Sequence, residues 1–99
     1  MIHIVWEFYI RPDRREAFER YYSSAGQWAA LFRKSSAYRE TILTQDLEVP
    51  ARYLLTDVWE DFPAFQDFKQ RFQAEYEQLD KLCEPFTVEE RCLGIFQIR

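Results

Sequence analysis

Three side chains could move a proton in this chain of 99 residues: His3, Glu7 and Tyr76. His3 is the single histidine. Glu7 is a carboxylate set into an apolar stretch, Ile4-Val5-Trp6-Glu7-Phe8-Tyr9. Tyr76 is a phenol on a helical stripe of aromatics. A base or hydrogen-bond acceptor beside an apolar slot is what general acid–base chemistry on an apolar guest requires. Each group also has a plainer reading. His3 suits a terminal surface or an interface, and Glu7 can pair with Arg91 on the last strand as a salt bridge.

Other chemistries find less support. Zinc and iron sites gather several His, Cys and carboxylate ligands in one place, and one histidine cannot supply the usual two. Glu7, Asp57, Glu89 and Glu90 could converge, but carboxylates on strand faces are usually solvated or paired. No metal is expected. There is no Gly-x-Ser-x-Gly elbow. Cys83 falls at a helix C-terminus, where the dipole disfavours a thiolate, and Cys92 falls inside a strand. Their spacing fits neither a zinc knuckle nor a CxxC redox pair, so two reduced thiols are expected.

The elements that must position these groups follow from periodicity. Ile2 to Ile10 alternates as a strand, with Ile2, Ile4, Trp6, Phe8 and Ile10 on a face that should meet helices. His3, Val5, Glu7 and Tyr9 take the other. Arg11-Pro12-Asp13 ends it. Phe18, Tyr21, Ala25, Trp28 and Phe32 then recur at helical spacing, and Ser23-Ser24-Ala25-Gly26 predicts a kink or two short helices. Tyr38 to Gln45 and Arg52 to Glu60 read as a hairpin. The second of these is apolar on both faces except at Asp57, as suits a central strand. Asp61 caps a second helix carrying Phe62, Phe65, Phe68, Phe72, Tyr76 and Leu79 and stopped by Glu84-Pro85. Val88 to Ile98 is the last strand, with Gly94 marking a bulge or bend.

This order, βαββαβ, predicts an α+β ferredoxin-like antiparallel sheet with helices on one face, as a single domain over residues 1–99. The bare sheet face must be covered, and a second copy of so short a chain is the expected cover. The composition is 47% hydrophobic and 18% aromatic, more ring surface than one small core needs. The surplus fits a dimer interface or an aromatic-walled pocket. Net charge is −4 with no run of Lys or Arg, which argues against nucleic acid. Met1 to Ile10 lacks a signal peptide's basic start and is too short to span a bilayer, so a cytoplasmic protein without a membrane partner is expected.

With these landmarks the chain resembles the antibiotic biosynthesis monooxygenase-like (ABM) family of the dimeric α+β barrel superfamily. The resemblance is carried by the opening strand with Pro12 and Glu16-Ala17-Phe18-Glu19, and by Gly26-Gln27-Trp28-Ala29-Ala30-Leu31-Phe32-Arg33. Arg52-Tyr53-Leu54-Leu55-Thr56-Asp57-Val58-Trp59-Glu60 and Ala64-Phe65-Gln66-Asp67-Phe68 complete it. It implies a homodimer whose two sheets form a barrel, with a pocket in each subunit between helices and sheet. The family includes cofactor-independent oxygenases of polycyclic phenols and haem-degrading enzymes. The haem branch needs a histidine on the second helix and an asparagine on the first strand. This chain has no Asn, and its histidine is on the first strand; Tyr76 is the one conceivable axial ligand.

The resemblance therefore implies a cofactor-free monooxygenase-like protein that acts on or binds a polycyclic aromatic or phenolic small molecule. Two alternatives stand beside it: a non-catalytic dimeric ligand-binding or accessory module, and a polyketide cyclase or isomerase. Trp6, Tyr22, Trp28 and Phe32 could build one side of the slot, and Trp59, Phe68, Phe72 and Tyr76 the other. His3, Glu7, Tyr38 and Arg39 are its candidate polar groups. Aromatics such as Trp28 and Phe72 at helical spacing can equally be plain core.

Overall fold

The computed structural model describes all of residues 1–99. Four strands, β1 (Ile2–Ile10), β2 (Tyr38–Gln45), β3 (Arg52–Trp59) and β4 (Thr87–Gln97), form one antiparallel sheet in the order β2-β3-β1-β4. Four helices, α1 (Arg15–Tyr22), α2 (Gln27–Phe32), α3 (Phe62–Arg71) and α4 (Gln73–Cys83), pack on one face. This is the α+β ferredoxin-like arrangement. The nearly unbroken apolar run of β3 is explained by its place between β1 and β2.

The first helical stretch divides at Gly26, which caps α2. A Cβ at Gly26 would lie 2.4 Å from the Tyr21 carbonyl oxygen, so the close turn between α1 and α2 admits only glycine. The second stretch also divides, at Phe72, whose backbone (φ −115°, ψ 30°) leaves the helical region without a proline or glycine to force it. The i→i−4 bonds from Phe72 to Phe68 and from Tyr76 to Phe72 persist across the bend. The Phe72 ring packs on Phe68 and under Lys34 there. Asp61 caps α3 by accepting the Ala64 amide at 2.8 Å.

Two local devices fix the sheet register. Asp46 Oδ1 accepts the amides of Glu48 and Val49, closing the β2–β3 loop as an Asx turn. On β4 the pairing slips by one residue between Gly94, opposite Val5, and Cys92, opposite Trp6. Gly94 has φ +152°, a conformation side chains rarely adopt, and makes the bulge possible.

The even residues of β1 face the helices: Ile2, Ile4, Phe8 and Ile10 are buried in the core, and Trp6 is partly buried against it. Two aromatic clusters hold the layers together. Phe8, Phe18, Tyr22 and Tyr53 lie within 4.5–5.3 Å of their neighbours' ring centres. Trp59 contacts Phe32, Tyr38, Phe65 and Phe68 at 5.2–5.5 Å. Each such pair contributes roughly 0.5–1.5 kcal/mol beyond burial itself. The opposite sheet face carries no helix. No helix is long and apolar enough to cross a membrane.

A narrow aromatic cavity with a buried carboxyl

A cavity of about 40 Å³ lies between the sheet and the helices. β1 contributes Trp6 and Phe8, β3 contributes Leu55 and Asp57, and α1 and α2 contribute Tyr22, Trp28 and Phe32. Tyr76 and Asp80 of α4 and Glu90 of β4 complete the wall. The strands bring these together by register: Trp6 pairs with Leu55, Ile4 with Asp57, and Phe8 with Glu90. The expected slot is thus narrower than a polycycle needs. The Tyr76 ring stands edge-on to Trp28 at 5.0 Å, and together they narrow the space to water size.

Asp57 is the polar centre. It is 4% exposed, and its one hydrogen bond comes from the Thr41 hydroxyl, which donates to Oδ1 at 2.7 Å. With that hydrogen committed, Tyr38 donates its own hydroxyl to Thr41 Oγ1, also at 2.7 Å. Tyr38, Thr41 and Asp57 thus form a buried chain of hydroxyls ending in a carboxyl. Thr41 also borders an open groove beside β2 that includes Ser23, Glu40 and Gln45. Burial lifts the Asp57 carboxyl to about 7, against the opposing pull of the Thr41 hydrogen bond. A carboxyl poised there is half ionised at neutral pH, the condition for a general base.

The other titratable groups differ. Burial raises the phenols of Tyr22 and Tyr76, keeping both protonated. Burial also raises Asp80 and Glu90, and repulsion from Glu84 adds to both. The Trp28 indole Nε1–H is buried without a well-formed hydrogen bond, beside the Tyr22 hydroxyl and the Cys83 thiol. No three His, Cys, Asp or Glu side chains gather as a metal site. Cys83 is buried, Cys92 exposed, and both are free thiols.

Of the residues singled out in the sequence, Trp6, Tyr22, Trp28, Phe32 and Tyr76 meet at the cavity. Trp59 and Phe68 do not reach it; they fill the neighbouring core, at 0% and 1% exposure. Phe72 packs behind Phe68 at the α3–α4 bend. Glu7 is on the other face of the sheet, held by Arg52 Nε at 2.7 Å and Arg91 Nη2 at 2.9 Å. The two guanidiniums, Arg52 foremost, hold its carboxyl below the usual range, so it is a poor base. His3 shares that face, between Val58 and Phe96. Arg39 pairs with Glu60 at the surface. Asp57, Thr41, Asp80 and Glu90 carry the polar chemistry instead. The signal for Asp57 was parity: it is two residues from both Leu55 and Trp59, hence on the helix side of a central strand.

A small α+β protein with an aromatic cavity between helices and sheet is the class that this geometry defines. The family model for antibiotic biosynthesis monooxygenase matches residues 1–78, and the chain belongs to that family. Solved structures share the fold. A candidate antibiotic biosynthesis monooxygenase from Bordetella bronchiseptica superposes with a TM-score of 0.77 at 22% identity, covering 99% of this chain and 96% of that one. SnoaB, a cofactor-independent oxygenase from Streptomyces nogalater, superposes at 0.71 with 20% identity, over 99% of this chain and 92% of its own. A candidate monooxygenase from Deinococcus radiodurans reaches 0.75 at 12% identity, covering 100% and 93%. No curated protein matches the chain in sequence.

Proposed function

We propose that the protein is a cofactor-independent monooxygenase acting on a polycyclic aromatic or phenolic small molecule, with Asp57 as the proton acceptor. The observation that carries this reading is a single one: a desolvated carboxyl in an aromatic cavity, backed by the Thr41–Tyr38 hydroxyl chain. Asp57 takes the phenolic proton. The resulting anion passes an electron to dioxygen, and recombination forms the new C–O bond. Loss of water leaves a quinone. The substrate supplies all the electrons; one oxygen atom stays in the carbonyl and the other leaves as water. Asp57 returns the proton to the peroxide that recombination forms, so that water can leave, and the Thr41 hydroxyl holds the carboxyl in place for both transfers.

An aromatic guest needs more room than the closed cavity has. Trp6 and Tyr76 are its partly buried walls, and rotation of Tyr76 away from Trp28 opens it. Oxygen uptake with a reduced anthrol or quinol tests the reading: uptake by the wild type and its loss in Asp57→Asn are expected. No uptake across a broad polyphenol panel overturns it. Saturable binding without turnover would indicate the binding or accessory module. Product without oxygen consumption would indicate a cyclase or isomerase.

The homodimer belongs to the same proposal. The uncovered sheet face presents Val5, Ile42, Leu54 and Phe96, and Phe96 and Ile42 are 53% and 43% exposed. A second sheet laid on this face buries them. Analytical ultracentrifugation is expected to give a dimer that Phe96→Glu converts to monomer; a monomeric wild type at micromolar concentration contradicts it.

A further inference from the structure

The cavity is smaller than any ring it could take. Its volume is about 40 Å³, whereas even benzene needs a space of roughly 150 Å³. The missing room has to adjoin it. The groove beside β2 and the groove at the β2–β3 loop share no residue with the cavity. A third groove, of about 340 Å³ across α3 and α4, does. Tyr76 and Asp80 line both spaces, so the inner wall of this groove is the outer wall of the cavity. Its size is that of an ordinary small-molecule site.

Tyr76 is the movable part of the shared wall. It is partly buried, and two contacts hold its ring. From the cavity side, Trp28 meets it edge-on at 5.0 Å. From the groove, the Lys69 ammonium stands 4.8 Å from the ring centre. Lys69 belongs to the last turn of α3 and Tyr76 to the first turn of α4, so this contact spans the bend at Phe72. Lys69 takes part in no ion pair. It also reaches the Phe65 ring at 5.7 Å, and its charge favours the ionised form of Asp80.

We propose that this outer groove is the docking subsite of the cavity: an aromatic guest settles there first and passes inward as Tyr76 turns, and Lys69 sets how often Tyr76 turns. Lys69 is a positioning residue, acting through the Tyr76 ring rather than on the guest. The bound guest spans both spaces, one ring beside Asp57 and the remainder in the groove. This deepens the proposed reaction and rests on that reading of the cavity. Entry needs the open state, so the association rate scales with the fraction of molecules in which Tyr76 has turned.

The test is stopped-flow quenching of tryptophan fluorescence by naphthylmethanol, a neutral probe that the Lys69 charge does not steer, on the full chain. Lys69→Met keeps the stem and removes the charge. Association is expected to quicken roughly two- to fivefold, the population shift that an exposed cation–π contact supplies. Lys69→Arg keeps a cation over the ring and should leave the rate at that of the wild type. In a Tyr76→Leu background, which retains apolar bulk but has no ring face, Lys69→Met should change nothing. An unchanged rate in Lys69→Met overturns the proposal. So does an equal gain in the Tyr76→Leu background, because Lys69 would then act by another route. Either result leaves the cavity reading standing, since the probe still binds. No quenching in any variant overturns the cavity as a binding site, and the docking subsite with it.

Discussion

Thr41 on β2 and Asp57 on β3 are direct cross-strand partners, and the Thr41 hydroxyl donates to the Asp57 carboxylate at 2.7 Å. Tyr38 extends the chain, so the one acid on the helix side of the central strand is held by hydroxyls rather than by a cation. That arrangement leaves the carboxyl desolvated and poised near neutrality, in contrast to Glu7, one strand away on the opposite face, which two arginines hold ionised.

Asp57→Asn separates the chemical role of the carboxyl from its cost. Oxygen uptake is expected to fall by roughly 10²–10⁴-fold, the usual contribution of a positioned base. Stability moves the other way. The folded protein holds the proton up to about pH 7, whereas the unfolded carboxyl loses it near 3.8. Stability therefore falls as pH rises through that window, by on the order of 4 kcal/mol in all. The variant is expected to melt higher than the wild type at pH 8 and about the same at pH 3.5, as checked by thermal unfolding across pH. A lower melting point at pH 8 would contradict this.

Thr41→Val keeps the shape and removes both hydrogen bonds of the relay. Asp57 loses its stabilising donor, so its titration moves up, and the Tyr38 hydroxyl is left buried and unpaired. A stability loss of roughly 1–3 kcal/mol is expected from denaturant unfolding. The pH dependence of oxygen uptake should shift to higher pH. Thr41→Ser restores the hydroxyl and should return the profile to that of the wild type. A serine variant as impaired as the valine variant would mean that the methyl group, not the relay, matters.

The sequence made the architecture readable because strong signals agreed. The Gly26 break, the Asp61 cap, the Gly94 bulge and the central position of Arg52 to Trp59 are each fixed by local chemistry. The bend at Phe72 carried no such mark, since no proline or glycine produces it. The site was less readable. Periodicity shows that Trp28, Tyr22 and Tyr76 turn inward, but it does not separate cavity wall from filled core, and Trp59 and Phe68 carry the same signal. Glu7 drew attention as a charge in an apolar strand, yet its parity put it on the outer face. Asp57 broke an apolar strand too, with inward parity. What gives it meaning is contact with Thr41, a neighbour across the hairpin that no linear spacing reveals.

Glu7→Gln should act on stability alone. Its folded carboxyl titrates below its ordinary 4.5, so its contribution is present above that pH and disappears as pH falls through the lowered value. The variant is expected to melt lower than the wild type at pH 7, with the gap closing as pH falls through the lowered value. Oxygen uptake per folded molecule should be unchanged, since Glu7 is across the sheet from the cavity. A selective loss of uptake would return Glu7 to the chemistry.

Tyr76→Ala removes the ring that stands against Trp28 and should enlarge the cavity. A loss of several kcal/mol is the upper bound for a large buried ring, and a partly buried tyrosine should cost about half of that. Binding of naphthylmethanol, followed by quenching of tryptophan fluorescence, is expected to strengthen because the guest no longer has to displace the ring. Unchanged or weaker binding would show that Tyr76 does not gate the site.

The role of Asp57 is tested most directly by its own titration, by carbon-13 NMR of the side-chain carboxyls, with Asp57→Asn identifying the resonance. A poised acceptor has a midpoint near 7, one proton held at the head of an aromatic cavity until neutral pH. A midpoint at the ordinary 3.8 would contradict it, because a solvated carboxylate cannot be the poised acceptor on which the proposed reaction depends.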